Sequence, residues 1–228
     1  MAFSFFLDWP LSIPSPSYGW YRADSEYWNC STNKLLDISG NGNYATTSSD
    51  IVLGTGSGNG ATASIKYLTG GTSSTVVWPI GSIPITFTIC SVTRYSDERH
   101  LGRILAGRTI NWYHGHHLAA RGVAYYDGLK TDHISVGLLT DWLIMCGKNS
   151  GSIPYNILVD GVAVGVSEGG YGYLDLCINL DPAMEYSDWT FRELMIWNTA
   201  LSDADMVIAS TALRSSLLYG MVRKFLND

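Results

Sequence analysis

The sequence predicts an all-β protein, a sandwich of two packed antiparallel sheets with one short C-terminal helix. Three observations carry this. Runs rich in β-branched and aromatic residues recur along the chain, separated by turn residues. The composition, with 24 Gly, 14 Tyr and 8 Trp in 228 residues, suits strands and turns rather than a helical bundle. Helical periodicity is convincing in a single late segment.

Residues 1–17 contain Pro10, Pro14 and Pro16 and are predicted to form an extended N-terminal arm, because proline cannot donate to a sheet ladder. The remainder, 18–228, shows no break in composition and reads as one domain that begins at Trp20-Tyr21-Arg22-Ala23. The run from Leu36 to Ala45 is a turn cluster entering a strand. Residues 54–60 are glycine-rich, but no helix and no Lys-Ser/Thr pair follows Gly56-x-Gly58. A mobile surface loop is expected there, not a phosphate loop. Strands are expected over 85–93, over 123–126 before the Asp127-Gly128 turn, and over 141–146. Residues 156–164 form a hairpin around Asp160-Gly161, a turn whose twist matches that of paired strands. Phe191 to Asn198 is the last strand. Ser202 then caps a helix over 203–217, with Asp205 completing an imperfect capping box. Met206, Ala209, Leu213 and Leu217 give that helix one apolar face.

Apolar residues make up 46% of the chain and charged residues 15%, ample material for a core. A net charge of −6 argues against nucleic acid or an anionic membrane as partner, since either favours a basic patch. No apolar run approaches the ~20 residues that span a bilayer. Met1 to Leu7 lacks a basic flank, and Asp8 and Pro10 cut the apolar run short, so it reads as arm rather than signal peptide. Asn29-Cys30-Ser31 fits a glycosylation sequon that has little meaning without export. Cys30, Cys90, Cys146 and Cys177 show no CxxC spacing, and three lie in apolar strand-like runs. They read as buried free thiols of a protein folded in a reducing compartment, not as zinc ligands.

Leu36-Asp37-Ile38-Ser39-Gly40-Asn41-Gly42-Asn43-Tyr44-Ala45 and the strand-to-helix run Phe191–Met206 together resemble the opening and closing signatures of concanavalin A-like, laminin-G-like jelly-roll domains. The central block sharpens the likeness: Arg103-Ile104-Leu105-Ala106-Gly107, Asn111 to His117, and Gly122 to Gly128. It resembles a lectin-like branch associated with phages, algae and large algal viruses, over roughly residues 18–220. The resemblance implies a non-catalytic glycan-binding or attachment module on a virion or cell surface. A structural capsid or fibre subunit, tied to its neighbours by the N-terminal arm, is the alternative, and a glycan-active enzyme the third. Without a signal peptide, a surface role suits a virion component assembled inside its host; otherwise the expected location is cytoplasmic.

The most chemically loaded cluster is His114-Gly115-His116-His117. Three readings stand: a transition-metal site with His114 and His116 on one strand face, a polar loop bonded locally, or a glycan platform. The platform would comprise Asn111, Trp112, Tyr113, His114, His116, Tyr125 and Tyr126, because a pyranose needs an aromatic face and ordered polar partners. For Trp112, core and platform stand side by side. Asp37, Asn41 and Asn43 offer oxygens to a structural Ca²⁺ of the kind that related jelly rolls often hold, although a plain Asn/Gly turn uses the same residues. Retaining glycoside hydrolysis needs two carboxyl groups ~5–5.5 Å apart. Here the acidic residues are scattered: Asp24-Ser25-Glu26 lies near the arm, Glu185-Tyr186-Ser187-Asp188 has the wrong period for a strand face, and no catalytic residues are expected.

Overall fold

The computed structural model describes residues 12–220. In chain order the strands are β1 (Gly19–Arg22), β2 (Trp28–Asn29), β3 (Lys34–Leu35), β4 (Ala45–Thr47), β5 (Val52–Gly58), β6 (Ala61–Gly70), β7 (Val76–Val77) and β8 (Thr88–Tyr95). They continue with β9 (Leu105–Gly107), β10 (Trp112–His117), β11 (Ala120–Tyr126), β12 (Leu143–Lys148), β13 (Ile157–Val159), β14 (Val162–Ala163), β15 (Leu176–Ile178) and β16 (Trp189–Trp197), before helix α1 (Asp203–Tyr219). One sheet has the order β14-β13-β12-β8-β16-β6-β5, with β1 also on β16, and the other β11-β10-β9-β15-β7-β4-β3-β2. All pairings are antiparallel. This is the predicted two-sheet β-sandwich, with one helix, C-terminal, among the described residues.

Strand alternation divides the apolar residues into two layers. Leu143, Met145, Leu194 and Ile196 of the first sheet face Leu105, Trp112, Leu176 and Ile178 of the second across the main core. The other face of the first sheet, with Cys90, Val92, Ile144 and Met195, packs against Met206, Ala209, Leu213 and Leu217 of α1. These four helix positions are the predicted apolar face. Ser202 caps the helix: its Oγ accepts from Asp205 N at 3.1 Å and donates to Asp205 Oδ2 at 2.7 Å. Helix α1 therefore covers one sheet, and among the described residues the outward face of the second has no helical partner.

Two expectations are corrected. Residues 54–60 are not a loop: Val52–Gly58 is an edge strand paired with β6, and Asn59-Gly60 forms the turn between them. Glycine lowers strand propensity, but a neighbouring ladder outweighs it. Cys90 and Cys146 are not free thiols. They are register partners on β8 and β12, with Cα atoms 4.1 Å apart, and form a disulfide. Their separation of 56 residues carried no sign that antiparallel pairing sets them opposite one another. Cys30 and Cys177 remain thiols, the first exposed and the second buried.

Of the arm, residues 12–17 lie against the first sheet: Ile13 joins the α1-side apolar layer, and Trp197 Nε1 donates to Pro14 O at 2.9 Å. The expectation for 1–11 lies outside the described residues. Among the described residues, no helix is long and apolar enough to cross a membrane.

Candidate functional site

The β10–β11 hairpin separates the predicted platform into two faces. Its register pairs Trp112 with Tyr126, Tyr113 with Tyr125 and His114 with Ala124. With a period of two, Trp112, His114, His116 and Tyr126 turn inward, while Tyr113, Tyr125 and His117 turn outward. Trp112, His114, His116 and Tyr126 have no solvent exposure, so they present no face to a sugar ring. This corrects their placement in the platform. They are core: Trp112 stacks on Tyr126 at 4.8 Å between ring centroids and meets Phe87 edge-on at 6.0 Å.

The inward histidines do structural work. His114 Nε2 donates to Met145 O of the opposing sheet at 3.3 Å, which leaves Nδ1 to accept from the Tyr126 hydroxyl at 2.5 Å. His116 meets Tyr95 edge-on at 4.7 Å, and its Nδ1 lies 3.5 Å from Thr93 Oγ1. Burial pushes His114 down to about 3 and His116 well below the ordinary imidazole value, because a buried ring loses the hydration that stabilises its charged form. His114 and His116 share the inward face as expected, but His117 points the other way, so the three imidazoles do not converge. Among the described residues no group of three or more His, Cys, Asp or Glu is placed to hold a metal ion.

The outward residues form a different constellation. Tyr113 stacks on His117 at 4.2 Å and on Tyr125 at 5.6 Å, and the Arg103 guanidinium lies 5.0 Å from the Tyr113 ring. Arg103 Nε donates to Glu185 Oε2 at 2.6 Å, and His117 Nε2 donates to the same oxygen at 3.0 Å. With that proton committed, His117 Nδ1 accepts from His133 Nε2 at 3.0 Å. Burial lowers the His117 pKa, opposed by the Glu185 charge, and burial raises Tyr113 to about 12.

Close backbone approach assembles this cluster. Arg103 N donates to Glu185 O at 2.6 Å, and a Cβ on Gly102 would fall 2.1 Å from that carbonyl. Only glycine lets the segments before β9 and β16 meet there. Arg103 and Tyr113 are both buried, so Tyr113 supports the cluster from beneath and offers no ring face to a sugar, whereas Glu185 and Tyr125 are half-buried and His133 is exposed. The result is a carboxylate held by two cationic or imidazole donors beside stacked rings, on the sheet face that α1 leaves uncovered. A recess of about 170 Å³ at the β11 edge, lined by Gly122, Thr131, Asp132, Ile134, Val136 and Val164, shares no lining residue with this cluster and is smaller than the ~300 Å³ at which ligand pockets begin.

Of the predicted residues, Tyr113 and Tyr125 belong to this cluster. Asn111 is exposed at the β9–β10 turn, at the far end of β10 from His117. Sequence reasoning missed Glu185, 82 positions from Arg103, and His133, 16 positions from His117. No spacing marked either; only the charged type of Glu185 in a chain poor in charge was a signal.

The Asp37 turn is satisfied by its own chain. Asp37 Oδ1 accepts from Trp20 N, Ser39 N and Ser39 Oγ, and Oδ2 accepts from Asn43 N. Asn41 and Asn43 each turn their amide nitrogen to Tyr18 O. Calcium takes six to eight oxygens. One carboxylate already accepting four hydrogen bonds is a poor match to that demand.

No protein-family model matches the chain, and no curated protein matches it. Solved structures do share its fold. The binding domain of Paraclostridial Mosquitocidal Protein 1 superposes with a TM-score of 0.53 at 13% identity, over 86% of this chain and 52% of that one. Trypanosoma rangeli sialidase in complex with sialic acid gives 0.53 and 13%, over 90% of this chain and 33% of the other. The HCR/D W1238A mutant gives 0.51 and 10%, over 87% and 51%. The chain thus spans about half or less of each neighbour's length, and the likeness shows the fold alone.

Proposed function

We propose that the chain is a lectin-like, non-catalytic glycan-binding module of the concanavalin A-like, laminin-G-like branch, serving attachment at a cell or virion surface. The observation that carries this is the Glu185 carboxylate held by Arg103 and His117 beside the stacked Tyr113 and Tyr125. A fixed carboxylate accepts from paired sugar hydroxyls, and the half-buried Tyr125 ring offers an apolar surface to sugar C–H groups. Because Arg103 and His117 already orient the acceptor, little side-chain entropy is lost when it is used. A neighbour described as a sialidase in complex with sialic acid supports carbohydrate as the ligand class. The buried Cys90–Cys146 bond suits a protein that works in oxidising surroundings. Glu185 sits with arginine and histidine rather than with a second carboxylate, which supports binding over glycoside cleavage.

A glycan array followed by titration of the best ligand tests this. Tyr125→Ala and Glu185→Gln are expected to weaken binding at least tenfold while the Tyr125→Ala protein keeps its melting temperature. An array without any binder, or unchanged affinity in both variants, would overturn the proposal.

A further inference from the structure

At the end of the sandwich where β10 begins, two loops form a rigid apolar rim. Ile83 and Leu174 exchange backbone hydrogen bonds at 3.0 and 3.1 Å, and Gly81 N donates to Asp175 Oδ1 at 2.9 Å. Asn149 Nδ2 spans Ile85 O at 2.7 Å and Gly170 O at 3.2 Å, and Tyr171 N donates to Tyr126 O at 2.9 Å. Contact is so close that a Cβ on Gly172 would lie 1.9 Å from Pro84 O. On this fixed frame Ile80 is 83% exposed, Ile85 72%, Tyr173 66% and Tyr171 49%. Tyr173 is held at φ +57°, a conformation that costs a non-glycine residue free energy. Residues 79–86 and 169–174 contain no charged side chain.

We infer that this rim docks on the lipid–water interface of a zwitterionic bilayer, through Ile80, Ile85, Tyr171 and Tyr173. Ile80 sits at the tip of a turn closed by Ser82 N donating to Pro79 O, where an aliphatic group can enter the acyl boundary. Tyrosine suits the headgroup level, with an apolar ring and a wet hydroxyl. Between the flanking Glu168 and Asp175, whose Oδ1 is already occupied by Gly81 N, the loops carry no charge, which lowers the cost of inserting Ile80, Ile85, Tyr171 and Tyr173. A net charge of −6 sets the lipid class, since an acidic protein is repelled by an anionic surface. A second copy of the chain fits less well. Two tyrosines at these exposures present on the order of 200–300 Å², and two isoleucines do not raise that to the ~800 Å² per partner of a stable interface.

Flotation with phosphatidylcholine vesicles tests this, independently of the glycan reading because those vesicles carry no sugar. The wild-type protein is expected to float with the vesicles, with no gain on adding phosphatidylserine. An Ile80→Ser/Ile85→Ser variant should lose at least nine-tenths of that binding with its melting temperature and glycan affinity retained. Should the double variant fold poorly, Tyr173→Ser, with its side chain largely in solvent, reads the same loss. Absence of flotation, flotation that needs phosphatidylserine, or equal flotation by the variants overturns the inference. So does a wild-type dimer in light scattering that the double variant converts to monomer.

Discussion

Replacing Trp112 by alanine separates the core reading of this residue from the platform reading most sharply. The side chain has no solvent exposure and lies between Phe87 and Tyr126 in the main core, close to the His114 link between sheets. Truncating a large buried aromatic costs about 3–5 kcal/mol, from lost transfer free energy and from the cavity left behind. For a domain of this size each kcal/mol moves the melting temperature by about 2–4 °C. Trp112→Ala should therefore melt about 6–20 °C lower. Trp112→Phe gives a second check. Trp112 Nε1 is buried without a hydrogen-bond partner, a situation that costs about 1–3 kcal/mol. Phenylalanine removes that donor while keeping much of the ring, so its loss should stay below about half that of alanine. Differential scanning calorimetry at pH 7 reads both variants. An alanine variant melting within a degree of wild type, yet losing glycan binding, would refute the assignment of Trp112 to the core.

Two further outcomes follow from buried groups. Replacing Cys90 and Cys146 by alanine opens a 56-residue loop, which the chain-entropy model values at about 4 kcal/mol. Denaturant titration should show that loss for the double variant and little added effect of reductant on it; equal stability with and without the bond would count against the disulfide. His114 and His116 stay neutral in the fold, whereas the unfolded chain protonates near 6.5. The unfolded state then binds more protons, so stability is full above that pH and falls as acid is added, by roughly 2 kcal/mol per histidine from pH 7 to 5. Urea unfolding at several pH values checks the slope, and a flat profile over that range would contradict the burial of both rings.

Local pattern alone determined a good deal of this protein. The β8, β12 and β16 strands, the Asp160-Gly161 turn and the Ser202-capped helix follow from side-chain period, turn chemistry and capping, which act over a few neighbouring residues. Those signals were legible because each element satisfies its own backbone or exposes its own apolar face. Tertiary pairing decided the rest. The glycine-rich 54–58 run became an edge strand because β6 supplied its ladder. Cys90 met Cys146 because β8 and β12 pair in register. The 111–126 block contained its aromatic and imidazole groups in plain view, but its two faces go to different environments, one to core and one to surface. Period two says only that Trp112 and Tyr113 point apart; which of them enters the main core and which the small outer cluster with Ala120 and Val123 depends on where the opposing sheet lies. Glu185 reaches Arg103 and His117 through backbone contact at Gly102, a long-range closure that leaves no local mark in the sequence.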